Sequence, residues 1–162
     1  MAVGRPACRG AAAGARARRT RARGETGPKP GAATTKVRQM SRPARVLALA
    51  NQKGGVAKTT TTLNLGVGLH DLGARVLAVD LDPQSNLSMS QGIDVETLDL
   101  GMFHVLTGRA AISEIIETRE IDIAPAGIEL AGAELALSSM IGRERALERA
   151  LRPVRDLYDY IL

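Results

Sequence analysis

The sequence predicts an α/β protein built on a parallel sheet, and three observations carry that reading. Two short apolar runs, "RVLALAN" at residues 45–51 and "ARVLAVDLD" at 74–82, each end abruptly in polar residues, as strands buried on both faces do. Between them lie a Gly-rich loop and a stretch of helical periodicity. Parallel strands need a crossover connection, and a helix of that length supplies one. Residues 45–82 therefore read as one βαβ unit, the repeating piece of α/β architecture.

The elements follow in order. After the first strand and its loop, "KTTTTLNLGVGLHDLG" places Leu65, Leu69 and Leu72 at i, i+4 and i+7, one apolar helix face, with Gly73 as the stop. Gly66 and Gly68 lie inside that helix at a cost of up to about 1 kcal/mol each, which close packing on a sheet would offset. The second strand ends in Asp80 and Asp82. "QSNLSMSQG" and "LGMFHVLTG" read as short helices, "AISEIIE" as another, and "IDIAPA" at 121–126 as a third strand. "IELAGAELALSS" and "GRERALERALRPVRD" read as helices, the second with Leu147, Leu151 and Val154 on one face and an ordinary i, i+4 pair between Glu148 and Arg152. "YDYIL" begins a fourth strand. His70 and His104 have no partners at metal-ligand spacing and read as ordinary helix residues.

With 162 residues and 44% hydrophobic content the chain can build one ordinary domain. Its net charge of +5 is unevenly spread. Residues 1–45 hold 12 of the 22 Lys and Arg and one acid, Glu25, which leaves 10 bases against 16 acids in the rest. Cys8 is the only cysteine, which excludes a disulfide framework and a Cys-based metal or cluster site and fits a reducing cytoplasm. No apolar run approaches the roughly 18 residues that cross a bilayer. The chain thus reads as soluble, with no membrane partner.

Residues 1–44 are rich in Ala, Gly, Arg and Pro and nearly free of large apolar side chains, so they read as a disordered basic extension ahead of a domain at 45–162. Two explanations stay open. The extension is an arm held to DNA phosphates by counterion release, or it precedes the true start at Met40. A targeting peptide fits less well, since no serine precedes Ser41.

The loop "NQKGGVAKTTTT" at 51–62 carries the chemistry. A loop between a buried strand and a helix aims backbone N–H groups and the positive end of the helix dipole at one point, which favours phosphate. Gly54 and Gly55 allow close backbone approach; Lys58 would reach the β and γ phosphates and the Thr59 hydroxyl a Mg²⁺ ion. Against the template G-x-x-x-x-G-K-[ST], however, Gln52 and Ala57 stand where glycines belong. A plain tight turn with a surface lysine is the bland alternative. A dinucleotide site lacks its G-x-G-x-x-G fingerprint and leaves Lys58 with Thr59 unexplained.

"KGGVAKTT" resembles the deviant Walker A motif, K-G-G-x-x-K-[ST], of the ParA/MinD group of P-loop ATPases, in which the second template glycine is optional. "DLDPQSN" at 80–86 is similar to the D-x-D-P-Q-G-N segment of the ParA (Soj-like) chromosome and plasmid partitioning ATPases, with Ser85 in place of glycine. The similarity runs from about Arg45 to Leu162. It implies a three-layer P-loop NTPase-like fold and a nucleotide site made of Lys53, Gly54, Gly55, Val56, Ala57, Lys58, Thr59 and Thr60.

The same resemblance assigns roles. Lys53 would reach across an ATP-dependent homodimer to the partner's phosphates, as an arginine finger does. Gly54 would lie at the close dimer approach. Asp82 would position the attacking water, Thr59 would bind Mg²⁺, and Asp80 would support its shell. Strand-end capping before Pro83 is the bland alternative for the two aspartates. The resemblance further implies ATP and Mg²⁺ as ligands, non-specific DNA and a ParB-like protein as partners, a nucleoid-associated location and a role in DNA segregation. The family's Walker B aspartate follows the strand that begins like "YDYIL", and Leu162 precedes that position, so an N-terminal portion is expected. A non-catalytic nucleotide-binding or DNA-binding fragment is the alternative.

Overall fold

The computed structural model describes residues 42–162; the Arg-rich extension up to residue 41, with Met40, lies outside them. Five strands form one sheet: β1 (Arg45–Val46), β2 (Val76–Val79), β3 (Glu117–Thr118), β4 (Asp122–Ala124) and β5 (Tyr160–Ile161), in the spatial order β1-β5-β2-β4-β3. β1, β5, β2 and β4 run parallel. The α/β class and the parallel sheet hold, with one addition: β3 is antiparallel to β4. It occupies part of "AISEIIE", where a helix was expected. Only one 3-10 turn, Ile112–Glu114, forms there. Ile115 caps that turn, the chain is strand from Glu117, and a tight turn in which the Arg119 N–H bonds to Ile121 O leads into β4.

β1 and β2 are joined through α1 (Lys58–Asp71) as one βαβ unit, but β5 lies between them and pairs with both. β1 is also shorter and more open than the apolar run at 45–51 suggests. Beyond Val46 only the Leu47 N–H reaches β5, at Ile161 O, and Val46 and Leu47 are 47% and 42% exposed. The reason is position: among the described strands β1 is at the sheet edge, with a neighbour on one side.

Alternate strand residues point to opposite faces, and each face carries its own core. Leu77, Ala124 and Ile161 pack with Met102, Val105, Ile112, Leu151 and Val154. Val76, Ala78, Ile123 and Leu162 pack on the other face with Leu87, Ile121 and the partly buried side chains of α1. The first face is covered by α3 (Met102–Leu106) and α5 (Ala146–Leu151), the second by α1 and α2 (Asn86–Ser90), which gives the expected three layers. Among the described residues the first buried one is Ala44, which donates its N–H to Arg155 O.

α1 packs on an unexpected side. Its buried residues are Thr62 and Gly66, whereas Leu65 and Leu72 are exposed and only Leu69 of the leucine stripe touches the core. The helix packs closely at Gly66, where an added Cβ would stand 2.6 Å from Ile121 Cδ1. It ends as the sequence suggests. Gly73 has φ +87°, its N–H bonds to His70 O, and the Ala74 N–H bonds to Leu69 O, a Schellman pair.

The later helices are broken into shorter pieces than expected. "IELAGAELALSS" becomes a 3-10 turn, Ile128–Gly132, followed by α4 (Ala133–Ser138). "GRERALERALRPVRD" becomes a 3-10 turn, α5, and a second 3-10 turn at Arg152–Val154, where Pro153 has no N–H for the α-helical ladder. Leu151 and Val154 are buried and Leu147 partly so, and Glu148 stands 3.8 Å from Arg152. Among the described residues no helix is long and apolar enough to cross a membrane.

Candidate functional site

The loop at 51–57 is shaped by its own residues. Asn51 Oδ1 accepts the Lys53 N–H at 2.9 Å, which turns the chain out of β1. Gly55 takes φ +70°, and Ala57 takes φ +58°, ψ 26°. Ala57 is where the P-loop template asks for glycine. Its left-handed backbone explains the template, and alanine holds it at a cost of about 1–2 kcal/mol. α1 then starts at Lys58. The backbone N–H groups of residues 54–60 donate to no atom among the described residues. A Cβ added at Gly54 or Gly55 would meet nothing within 4 Å, so a ligand can come close to these amides. Unpaired N–H groups at the positive end of a helix dipole form an anion cradle.

Lys58 is half-buried and folds back over the loop, its Nζ donating to Lys53 O at 3.4 Å. Lys58, Thr59, Thr62, Asp80 and Asp82 line one cavity of about 400 Å³ at the C-terminal ends of β1, β5 and β2. The rest of its wall is largely apolar and includes Val46, Leu49, Leu81 and Leu151. The structure thus brings together Lys58, Thr59 and both aspartates. It leaves Lys53, Gly54, Gly55, Val56, Ala57 and Thr60 out of the cavity lining and exposed.

The two aspartates differ. Asp80 is 3% exposed; its Oδ1 accepts the Asp82 N–H at 3.1 Å, and its Oδ2 accepts both the Ser88 N–H at 3.0 Å and the Ser88 hydroxyl at 2.7 Å. Asp82 is half-buried; its Oδ1 accepts the Gln84 N–H at 3.0 Å, and its Oδ2 accepts no hydrogen bond among the described residues. Strand-end capping is therefore present at both, and Asp82 alone keeps a carboxylate oxygen free. Ser85 sits at φ +53°, the left-handed conformation for which the family's glycine suits this position.

Ser88 escaped the sequence reading. Its only signal is a hydroxyl in "NLSMS", at a fully buried place where an apolar side chain would be ordinary. His104, expected as an ordinary helix residue, caps α3: its Nδ1 accepts the Gly101 N–H at 3.2 Å.

Two further polar pairs lie at the opposite, N-terminal ends of the strands. Arg75 donates from its backbone and its guanidinium to Asp159, and those hydrogen bonds hold the Asp159 carboxyl below the usual carboxylate range. Tyr158 donates to Asp122 at 2.8 Å; burial first, and that bond second, push the phenol well above its ordinary range.

Residues 44–162 match the AAA domain family. Sporulation initiation inhibitor protein Soj of Bacillus subtilis is 44% identical over 121 residues, which cover 73% of this chain and 48% of Soj. Chromosome partitioning protein ParA of Caulobacter vibrioides is 42% identical over 125 residues, covering 74% of this chain and 47% of ParA. Among solved structures, cobyrinic acid a,c-diamide synthase from Mycobacterium smegmatis with bound ADP and magnesium aligns with a TM-score of 0.72 at 47% identity, covering 73% of this chain and 49% of that one. The chain spans about half the length of these relatives.

Proposed function

The chain belongs to the AAA domain family and, within it, to the ParA/Soj-like group of P-loop proteins, and from that premise we propose that it binds Mg·ATP at residues 53–60 as part of a DNA-partitioning ATPase. One observation carries the reading. The unpaired amides of residues 54–60 lead into a helix whose first residues, Lys58 and Thr59, share a cavity with Asp80 and Asp82.

In this reading the amide cradle holds the β phosphate and Lys58 spans the β and γ phosphates. The Thr59 hydroxyl would hold Mg²⁺ and Asp80 would support its shell; the ion's chemical contribution is to offset charge on the phosphates. Asp82, with Oδ2 free at the cavity, orients the attacking water. Lys53 stands on the exposed side of the loop, outside its own cavity, which suits a lysine that serves a second copy of the chain. Gly54 has open space around it, which suits close approach of that copy. The ATP-dependent dimer then binds DNA non-specifically in the cytoplasm, at the nucleoid, and a ParB-like partner stimulates hydrolysis.

The test is binding of fluorescently labelled ATP to the full chain with Mg²⁺. The parent binds and Lys58→Ala does not; equal binding by the two sinks the site assignment. A second reading is nucleotide binding without turnover. Phosphate release at saturating Mg·ATP separates the two.

A further inference from the structure

We propose that Ser88 is a positioning residue for the Mg·ATP site: it orients the Asp80 carboxylate and ties it to the turn that follows β4. The inference rests on the nucleotide reading above and names a residue through which that site is set.

Three hydrogen bonds converge on this serine. Its N–H and its hydroxyl both reach Asp80 Oδ2, at 3.0 and 2.7 Å, and its Oγ lies 3.2 Å from the Ala126 N–H. The direction of each bond is fixed by chemistry. An ionised carboxylate only accepts and a backbone N–H only donates, so the Ser88 proton points to Asp80 and its lone pair faces Ala126. Ser88 and Ala126 are 0% exposed, so water does not compete for either bond. In such a dry setting hydrogen bonds are strong and unmade ones costly.

The consequence for Asp80 is orientational. Oδ2 is occupied by two donors from one residue, and Oδ1 takes the Asp82 N–H, so the carboxylate cannot rotate without breaking several bonds. The Asp82 backbone hangs from that same carboxylate. The far anchor is equally firm. Pro125 O accepts the Met102 N–H at 2.9 Å, and a Cβ added at Gly101 would stand 3.3 Å from it, so α3 clamps the turn at 125–127. A continuous set of contacts therefore runs from α3 through Ala126 and Ser88 to Asp80 and the backbone of Asp82. Alanine at position 88 would strip one donor from Asp80 and leave the Ala126 N–H buried without its acceptor.

The experiment measures affinity of the full chain for N-methylanthraniloyl-ATP by fluorescence anisotropy, with Mg²⁺ and with EDTA, beside thermal melting. Ser88→Ala is expected to keep the parent's affinity in EDTA and to lose about 10- to 100-fold of the gain that Mg²⁺ confers, the size usual for residues that orient metal-side groups. Ser88→Thr, which keeps the hydroxyl, restores that gain. In an Asp80→Asn background Ser88→Ala adds nothing further, because the serine acts through the carboxylate. Should Ser88→Ala not fold, Ser88→Cys, of similar shape but a weak donor and acceptor, gives the same comparison. A Ser88→Ala chain with the parent's Mg²⁺ response, or one that loses EDTA and Mg²⁺ affinity alike, overturns the inference and leaves the site reading intact. A parent chain that binds no labelled ATP in Mg²⁺ overturns the site reading itself, and the inference with it.

Discussion

A Cβ placed on Gly66 stands 2.6 Å from Cδ1 of Ile121, nearer than two carbon atoms pack, and 3.4 Å from Leu162 Cδ1. Gly66 is therefore where α1 rests on the sheet. Gly66→Ala gains up to about 1 kcal/mol of helix propensity, but the Ile121 side chain, whose far end the new methyl meets, must turn aside, which cancels much of that gain. Gly68 has open space at the same test, so Gly68→Ala gains up to about 1 kcal/mol. Urea midpoints compare the two, and a Gly66→Ala chain as stable as Gly68→Ala would contradict the close approach.

Ser85 is buried at φ +53°, and its hydroxyl makes only a 3.4 Å bond to Pro83 O. Ser85→Gly relieves the left-handed backbone and raises stability by about 0.5–1 kcal/mol after allowing for the looser unfolded chain. Ser85→Ala keeps the strain and brings no such gain. Melting temperatures of the three proteins check the order.

Removal of charge at Asp82 separates binding from chemistry. Asp82→Asn retains the side-chain oxygen that accepts the Gln84 N–H, so the turn survives. Labelled-ATP binding stays at the parent level, and phosphate release falls about 10²- to 10⁴-fold if Asp82 orients the water. A variant that loses binding as well would place Asp82 among the residues that hold the nucleotide.

Acid weakens the fold through Asp159. Its folded pKa is held below the unfolded value of about 3.9, so the unfolded chain binds the proton first as pH falls. The contribution of the pair is complete above that unfolded value and disappears as pH drops through the folded one. Both side chains are near half exposed, at 53% and 43%, so salt screens the effect. Asp159→Asn flattens the acid limb of melting temperature against pH, most visibly at low ionic strength.

Alkali acts through Tyr158. Its folded pKa is raised above the unfolded value of about 10, so folding favours the neutral phenol. That stability is present below the unfolded value and is lost as pH rises beyond it. Tyr158→Phe reduces the alkaline loss while costing the hydrogen bond to Asp122 at neutral pH. An unchanged alkaline limb in Tyr158→Phe would assign it elsewhere.

Local chemistry made most of the architecture readable. The apolar run at 76–79 and the "IDIAPA" stretch at 121–126 give strands, Gly73 ends α1, and the Gly-Gly, Lys58 and Thr59 sequence reads as a phosphate loop where a strand precedes it and a helix follows. Each of these depends on a residue's own conformational limits or on period-2 and period-3.6 patterns, which a chain carries along its length. Turn geometry was half visible. Ala57 and Ser85 break templates, and only the backbone shows that both templates ask for the left-handed conformation these residues nevertheless adopt.

The remainder depends on which segments meet. That β5 separates β1 from β2 and that β3 joins in the opposite direction are pairing choices between distant segments. The burial of Gly66 rather than the leucine stripe follows from where α1 crosses the sheet. Ser88 is the sharpest case. A serine in a short helix carries no signal of its own, and its meaning arises only because β2 and β4 pair side by side and bring Asp80 and Ala126 to either side of one hydroxyl. Motifs, element types and the local bonds of Asp80 and Asp82 are thus written in residue identity and spacing, whereas the Ala126–Ser88 bond joins groups 38 residues apart that only packing brings within about 3 Å of one another.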